Sequence, residues 1–417
     1  MNSAEQSHRW RLLFGALIAA LLIATTVFVV MLWNAYDSRD EWRERYFEAF
    51  YQLENVTAER DALLPWTMHG LTPTYVIDIR DGLCRAEKVA DGETFQGGDA
   101  AEVIQGAINA LPTSGGKVLL RSGTYVLSRG ITDGNKDFVI LQGEGWNTTL
   151  KIADGTQEIV VSITDQTGWI ISDIAIDGNK ANNEQVPGGV PHDMNQNGIQ
   201  LFRTTHSKIV RCYVHDTIFH GINLHYQSTD NVVEDCLVER CGSEGDYGAS
   251  SGILVFSGSP RNVVRRNRCI DNHARGIYIS AYSSDCLVSD NIIVGGSSEA
   301  AQGIIVMDNS DRVELRNNTI MNPPGNGVDV GNRYGPGYDG VRILGNTIID
   351  PGASGIWCGP GGTNATISGN YIKGAGIHGI WTEGSGGAIT DNRIIKPSGE
   401  AVYCEGQGTV VSGNVVE

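Results

Sequence analysis

The sequence predicts an all-β solenoid, a single-stranded parallel β-helix, on three observations. A Gly followed by alternating apolar residues recurs at Gly198-Ile199, Gly221-Ile222, Gly252-Ile253, Gly276-Ile277, Gly303-Ile304, Gly327-Val328, Gly355-Ile356 and Gly379-Ile380, with Ala401-Val402 as a variant. A second apolar stretch carries Asn267, Asn291, Asn318, Asn346, Asn370, Asn392 and Asn414 in the frame Ile/Val-x-x-Asn-x-Ile/Val, spaced 24, 27, 28, 24, 22 and 22 residues apart. Between them lie only short strands broken by Gly, Asn, Asp and Ser, which make tight turns and leave no room for a helix. A period of this order signals stacked repeats, because a short strand with one apolar face must bury it against its neighbours.

The spacing gives each repeat two or three strands, with Ile and Val inward and backbone groups paired to the coils on either side. The repeated Asn is expected at a bend, tolerating the left-handed conformation and hydrogen-bonding to the next coil through its amide. Cys212 and Cys236 occupy the same frame in two earlier coils. Upstream, Ala100 to Leu111 places Val103, Ile104, Ala107, Ile108 and Leu111 on one helical face and ends at Pro112, which suits a cap on the open end of the solenoid.

The N-terminal part reads differently. Residues 1–11 precede Leu12 to Trp33, an uncharged run of 22 residues, long enough to cross a bilayer. Arg9 and Arg11 before it, against Asp37, Asp40 and Glu41 after it, place the N-terminus in the cytoplasm and the β-helix outside, as a single-pass membrane protein. Within 34–69, a charged segment from 38 to 64 spaces Trp42, Tyr46, Ala49, Leu53, Val56 and Leu63 like a coiled-coil seam. It is expected either to form an oligomeric, trimeric stalk or to lie as a lone amphipathic helix. Residues 70–417 form the β-helix domain. The net charge of −17 and the absence of any basic or phosphate-cradling motif leave nothing that points to nucleic acid or a nucleotide. An exported chain with eight Cys permits disulfides, yet the parallel side chains of Cys212 and Cys236 suit stacked free thiols equally. Cys358 and Cys404 fall at inward positions and read as core.

After the capping helix come GGKVLLRSGTYVLSRGI (115–131), FVILQGEGWNTTLKI (138–152) and WIISDIAIDGN (169–179). This order resembles the N-terminal coils of the pectate-lyase-like superfamily, in particular the branch holding alginate (mannuronan) C5-epimerases and phage tailspikes. The resemblance covers roughly residues 95 to 417 and implies a right-handed helix and a polysaccharide partner. The epimerases carry Tyr-Gly-Phe-Asp-Pro-His on one strand. Here the strand reads His220-Gly221-Ile222-Asn223-Leu224-His225, so only the Gly and the last His match, and the Lys that the epimerases carry a little beyond the DGN motif has no clear counterpart in the loop after Asp177-Gly178-Asn179, where His192 is the nearest basic candidate.

Function in a β-helix lies on outward side chains, since the interior is packed. Setting each Ile inward puts Gln200, Asn223, Leu254, Tyr278, Ile305, Asp329, Trp357, Trp381 and Tyr403 in one outward column, and Phe202, His225, Phe256, Glu383 and Glu405 in another. Two strips stand out. In the late coils Trp357, Trp381 and Tyr403 form an aromatic ladder beside His378, Glu383 and Glu405, suited to stacking on sugar rings and accepting from hydroxyls. In the early coils, removal of a uronate C5 proton would use His225 as base, Tyr226 or Tyr278 as acid and Arg275 on the carboxylate, with His220 and Asn223 on the same segment. The stretch from Arg203 to Arg275 holds nine Lys/Arg and eight Asp/Glu, a near-neutral patch an anionic polyuronide could approach. No Cys-x-x-Cys or His-rich metal spacing is present and the residues name no cofactor, although Ca²⁺ bridging a uronate has room in this scheme. Three readings follow: a lyase or epimerase-like enzyme, a non-catalytic carbohydrate-binding protein, and a structural or adhesive envelope protein.

Overall fold

The computed structural model describes residues 72–183, 196–243, 250–331 and 337–417. The apolar run 12–33, the segment 38–64, the boundaries placed before residue 70 and His192 lie outside the described residues. Among the described residues no helix is long and apolar enough to cross a membrane.

Three sheets run the length of the solenoid, with fifteen, twelve and eleven strands, here called A, B and C. One coil contributes a strand to each, for example Lys208–Val210 to A, Tyr213–His215 to B and Ile222–His225 to C. Neighbouring coils pair in parallel without slippage, as in Ile209↔Val233, Val214↔Val238 and Ile222↔Ile253. Register holds because a one-residue slip would turn every buried Ile and Val outward. The core is one continuous apolar column from Ile77 to Ile394.

The N-terminal end departs from the repeat. Tyr75–Arg80, Leu83–Lys88 and Thr94–Gly97 form an antiparallel meander that joins sheet A, an element without a repeat signature in the sequence. The expected capping helix follows at Ala100–Asn109. The Asp99 carboxylate accepts the Ala101 N–H at 3.0 Å, satisfying one of the unpaired donors of the first turn. Val103, Ile104, Ala107 and Ile108 are buried against the meander and the strand Gly123–Leu127, which closes the core at this end.

The repeated Gly is explained by close approach and not by backbone conformation. A Cβ built on Gly198, Gly221, Gly252, Gly276, Gly303, Gly327, Gly355 or Gly379 would stand 2.4 to 2.8 Å from the carbonyl oxygen of the equivalent residue one coil on. No larger residue fits without moving that backbone.

The repeated Asn makes the expected inter-coil bonds, with one correction. The left-handed residue is the one before it: Arg266, Asp290, Asn317, Gly345, Gly369, Asp391 and Gly413 all have positive φ. This sharp corner turns the Asn inward, where its amide can span coils. Asn318 Oδ1 accepts the Asn291 N–H at 3.0 Å and the Asn291 side-chain amide at 2.9 Å. Its own Nδ2 donates to the Val288 carbonyl at 2.9 Å and to Asn346 Oδ1 at 3.0 Å. The same pattern runs from Asn267 to Asn414. Cys236 continues the ladder, its N–H donating to Asn267 Oδ1 at 3.0 Å. All eight cysteines are free thiols. Cys358 is core as expected, whereas Cys404 is exposed, on the edge strand Val402–Cys404 of sheet C.

Candidate functional site

Sheet C carries the outward column in the expected order. Gln200, Asn223, Leu254, Tyr278, Ile305, Asp329, Trp357, Trp381 and Tyr403 pair in unbroken register from coil to coil. Most of it is not free surface: Asn223 and Ile305 are 0% exposed, Asp329 3% and Trp357 7%. The polar members are tied to neighbouring coils. Gln200 Oε1 accepts from Asn197 Nδ2 at 2.9 Å and from Asn223 Nδ2 at 3.3 Å. Asp329 Oδ2 accepts from Gln302 Nε2 at 2.7 Å and Asn326 Nδ2 at 2.9 Å.

At several coils the residue just before the repeated Gly bonds the equivalent residue one coil on. Asn197 Oδ1 accepts the His220 N–H at 3.1 Å, and His220 Nδ1 accepts the Ser251 N–H at 3.1 Å. The pattern returns later, where Asn326 Oδ1 accepts the Ser354 N–H at 3.0 Å and His378 Nδ1 accepts the Glu400 N–H at 3.0 Å. His220 is thereby fixed, buried, as a backbone acceptor between coils. The signal was present in the sequence: Asn197, Gln302 and Asn326 precede a repeat Gly just as the histidines do, and a polar side chain there reaches the next coil.

The other early-coil candidates fall into two groups. His225 is buried between Phe202 and Phe256, stacked on the latter at 5.4 Å and 26° and edge-on to the former at 5.5 Å and 68°. Tyr226, 47% exposed and in the left-handed region with φ 54°, lies parallel to Phe202 at 5.3 Å. Arg275 holds its guanidinium 4.5 Å over the Tyr278 ring. Burial raises the Tyr278 pKa, against the opposing effects of a hydrogen bond with Ser280 and of the Arg275 charge. The strand of His225 pairs with Ser251–Phe256, and that strand pairs with Arg275–Ile279. His225 and Tyr278 are therefore two coil steps apart, about 10 Å. The structure unites His225 with Tyr226 and Arg275 with Tyr278, but it does not bring these pairs to one reacting atom. Tyr282, 64% exposed in the left-handed region with φ 66°, is an aromatic beside this sheet that the apolar alternation could not signal.

The charged early stretch has a structural explanation, since most of its charges pair between coils. Arg203, Arg211, Arg240, Arg261 and Arg266 reach to Asp165, Asp173, Asp216, Asp230 and Asp235 of the preceding coil, and Arg312 repeats the pattern with Asp285. Every residue of these six pairs sits at a left-handed corner. Arg265 and Arg266 also bond the buried Glu234, with Lys208 at 3.9 Å. At Asp173, Asp216 and Asp230, burial disfavours the carboxylate, yet bonds chiefly from Arg211, Arg240 and Arg261 hold the pKa below its usual value. Seven of the nine Lys/Arg between 203 and 275, all but Arg268 and Arg275, are engaged in these ion pairs.

In the late coils the aromatic residues do meet, though not as a flat ladder. Trp357 and Trp381 are edge-to-face at 6.3 Å and 69°, and Trp381 and Tyr403 at 6.1 Å and 60°. His378 stacks on Tyr403 at 4.8 Å and 14° and meets Trp381 edge-on at 5.7 Å. Trp357 is buried and donates Nε1–H to Glu383 Oε1 at 3.0 Å. Trp381, Tyr403, His378 and Glu383 are half-buried and Glu405 exposed, so these five form the accessible part of the strip. A hydrogen bond with the Glu405 carboxylate raises the Tyr403 pKa.

One cluster of metal-ligating side chains occurs among the described residues. Asp177, His215 and Asp216 offer atoms within 4.8 Å of one another, on sheet B and its corner. Protein partners already engage it: Arg240 bonds both Asp216 oxygens, His215 Nδ1 meets Asp216 Oδ2 at 2.7 Å, and Lys151 approaches Asp177 at 3.6 Å. It lies off sheet C and gives no support to a Ca²⁺ ion bridging a sugar there.

Coil pairing, ladders and core together describe one family, and the right handed beta helix region family matches residues 160–336 and 334–417. The chain belongs to it. This fixes the hand of the solenoid, which residue spacing alone did not. No curated protein matches the sequence. Among solved structures, the chain is similar to the Azotobacter vinelandii mannuronan C-5 epimerase AlgE6 A-module at 19% identity and TM-score 0.57, over 76% of this chain and 96% of that one. A mannuronic acid specific polysaccharide family 6 lyase from human gut microbiota aligns at 14% identity and TM-score 0.52, over 75% and 82% of the two chains. The tailspike protein of E. coli bacteriophage HK620, in complex with a pentasaccharide, aligns at 14% identity and TM-score 0.52, over 76% and 63%. At these identities the likeness establishes the fold.

Proposed function

We propose that the protein binds polysaccharide on the outer face of sheet C, through the late-coil strip. The observation that carries the reading is the accessible cluster of Trp381, Tyr403 and His378 flanked by Glu383 and Glu405. Aromatic edges and faces on a rigid sheet suit the apolar faces of sugar rings, and the carboxylates suit hydroxyl donors. The names of the fold neighbours agree with a polysaccharide ligand, but the proposal stands on the rings and acids of this chain. Trp381→Ala should weaken retention on a glycan panel without unfolding the protein; unchanged retention removes the strip from the account.

A lyase or epimerase-like activity by C5 proton abstraction is the second reading, favoured by Arg275 over Tyr278, a cation beside a phenol on the outward column. It is tested by release of unsaturated uronate, or C5 hydrogen exchange, from a panel of polyuronates. Equal behaviour of the wild type and Tyr278→Phe ends that reading. We place the β-helix outside the cell, held by the apolar run 12–33, with 38–64 as a trimeric stalk. Light scattering with and without 38–64 checks the stalk, and a monomer in both forms contradicts it.

A further inference from the structure

The charge of the late-coil strip selects among polysaccharides. The three sheet C segments that build it, residues 353–360, 376–384 and 398–406, contain Glu383, Glu400 and Glu405 and neither Lys nor Arg. The nearest cations in the chain, Lys373 and Lys396, sit at the sheet B side of their coils. Arg333 lies outside the described residues.

The remaining polar groups add no positive charge. His378 accepts the Glu400 N–H at Nδ1, so that nitrogen cannot also carry a proton. Tyr403 shares its hydroxyl with Glu405. Glu383 uses one oxygen on the Trp357 N–H, and among the described residues no cation pairs with Glu383, Glu400 or Glu405. At six left-handed corners, by contrast, an aspartate is paired with an arginine one coil on. Among the described residues the late strip is therefore a stretch of carboxylates without a paired cation around aromatic rings, within a protein of net charge −17. A polyuronate would bring like charges against it, whereas an ammonium group would meet both carboxylates and aromatic rings.

We propose that the late-coil strip recognises a polysaccharide carrying free amino groups, a polyglucosamine-type chain, in preference to a polyuronate. This rests on the proposed polysaccharide-binding role of the same strip. The sugar ring lies against Trp381 and Tyr403, and its ammonium group is directed to Glu383 and Glu405.

The test uses the full-length chain and three probes of equal length: a β-1,4-glucosamine oligomer, its fully N-acetylated form and an oligomannuronate. The glucosamine oligomer should bind about two-fold or more tighter than the acetylated one, since two exposed ion pairs contribute about 0.2–1 kcal/mol each. Oligomannuronate should bind weakest. Raised salt and the Glu383→Gln, Glu405→Gln double variant should both erase the preference for free amines, and Gln keeps an acceptor for the Trp357 N–H. Equal binding of the amine and acetylated forms, or tighter binding of oligomannuronate, overturns the inference. If Trp381→Ala still abolishes binding of the acetylated oligomer in that case, only the amine preference has failed. No binding of any probe to the wild type defeats the amine preference and the polysaccharide reading together.

Discussion

Replacing Asn318 with Ala tests whether the amide ladder holds the coils together. The side chain is fully buried and takes part in four hydrogen bonds: two accepted from Asn291, one donated to Val288 and one to Asn346. Truncation leaves the Asn291 N–H and the Val288 carbonyl without this partner inside the core. A buried group left unsatisfied costs about 1–3 kcal/mol, so two give about 2–6 kcal/mol. Asn414 is the control: it accepts twice from Asn392 and donates to Ile389 at 2.9 Å, but it is half-exposed, and water can replace what is lost. Asn414→Ala should cost about 1 kcal/mol or less. Urea unfolding gives the global cost. Native-state hydrogen exchange at residues 291 and 318 gives the local one, because repeat proteins open in segments. A loss at Asn318 below about 1 kcal/mol, or equal losses at the two positions, would refute the ladder as a principal source of cohesion.

Three further expectations follow from the same geometry. Gly303→Ala places a Cβ 2.4 Å from the Gly327 carbonyl and 2.5 Å from Ile320 Cγ2, and should destabilise by about 1–3 kcal/mol in urea titrations. Asp230 has a lowered folded pKa, so its stabilisation is present above the unfolded value of about 3.9 and is lost as pH falls through the folded value. Asp230→Asn should therefore lower the urea midpoint near neutral pH and lose its effect in strong acid; a constant difference across pH would contradict the pairing with Arg261. Burial pushes the Cys241 thiol up to about 11 and those of Cys84, Cys286 and Cys358 up to about 12, while Cys404 is exposed. A disulfide reagent should label one thiol in the native protein and eight after unfolding; more than one fast native thiol would contradict the packing.

The fold was legible because the constraints that make it are periodic. Gly at the close approach, Asn at the ladder and Ile or Val at the inward positions recur once per coil, so the sequence alone assigned the outward column in its correct order. The left-handed corner before the Asn was harder to see. Arg, Asp, Asn and Gly all occupy it, and its common feature is backbone conformation. The meander at 75–97 was invisible because it does not repeat. The site was less legible than the fold, for two reasons. Outward direction does not imply access: Asn223, Asp329 and Trp357 point away from the core and are nevertheless buried. Residues that look reactive can also serve the coil stack, as His220 does for Ser251 and the corner arginines do for Asp165 through Asp235. Only the pairing of residues one coil apart separates such uses from a binding surface.

Trp381 carries the central claim, because it touches Trp357, His378 and Tyr403 and reaches the surface between them. The most direct measurement is the retention of the full-length chain and of Trp381→Ala on one glycan array, alongside their unfolding midpoints. Loss of sugar retention with an unfolding midpoint close to that of the wild type is the predicted result. Retention unchanged by the substitution, or absent already in the wild type, would contradict it.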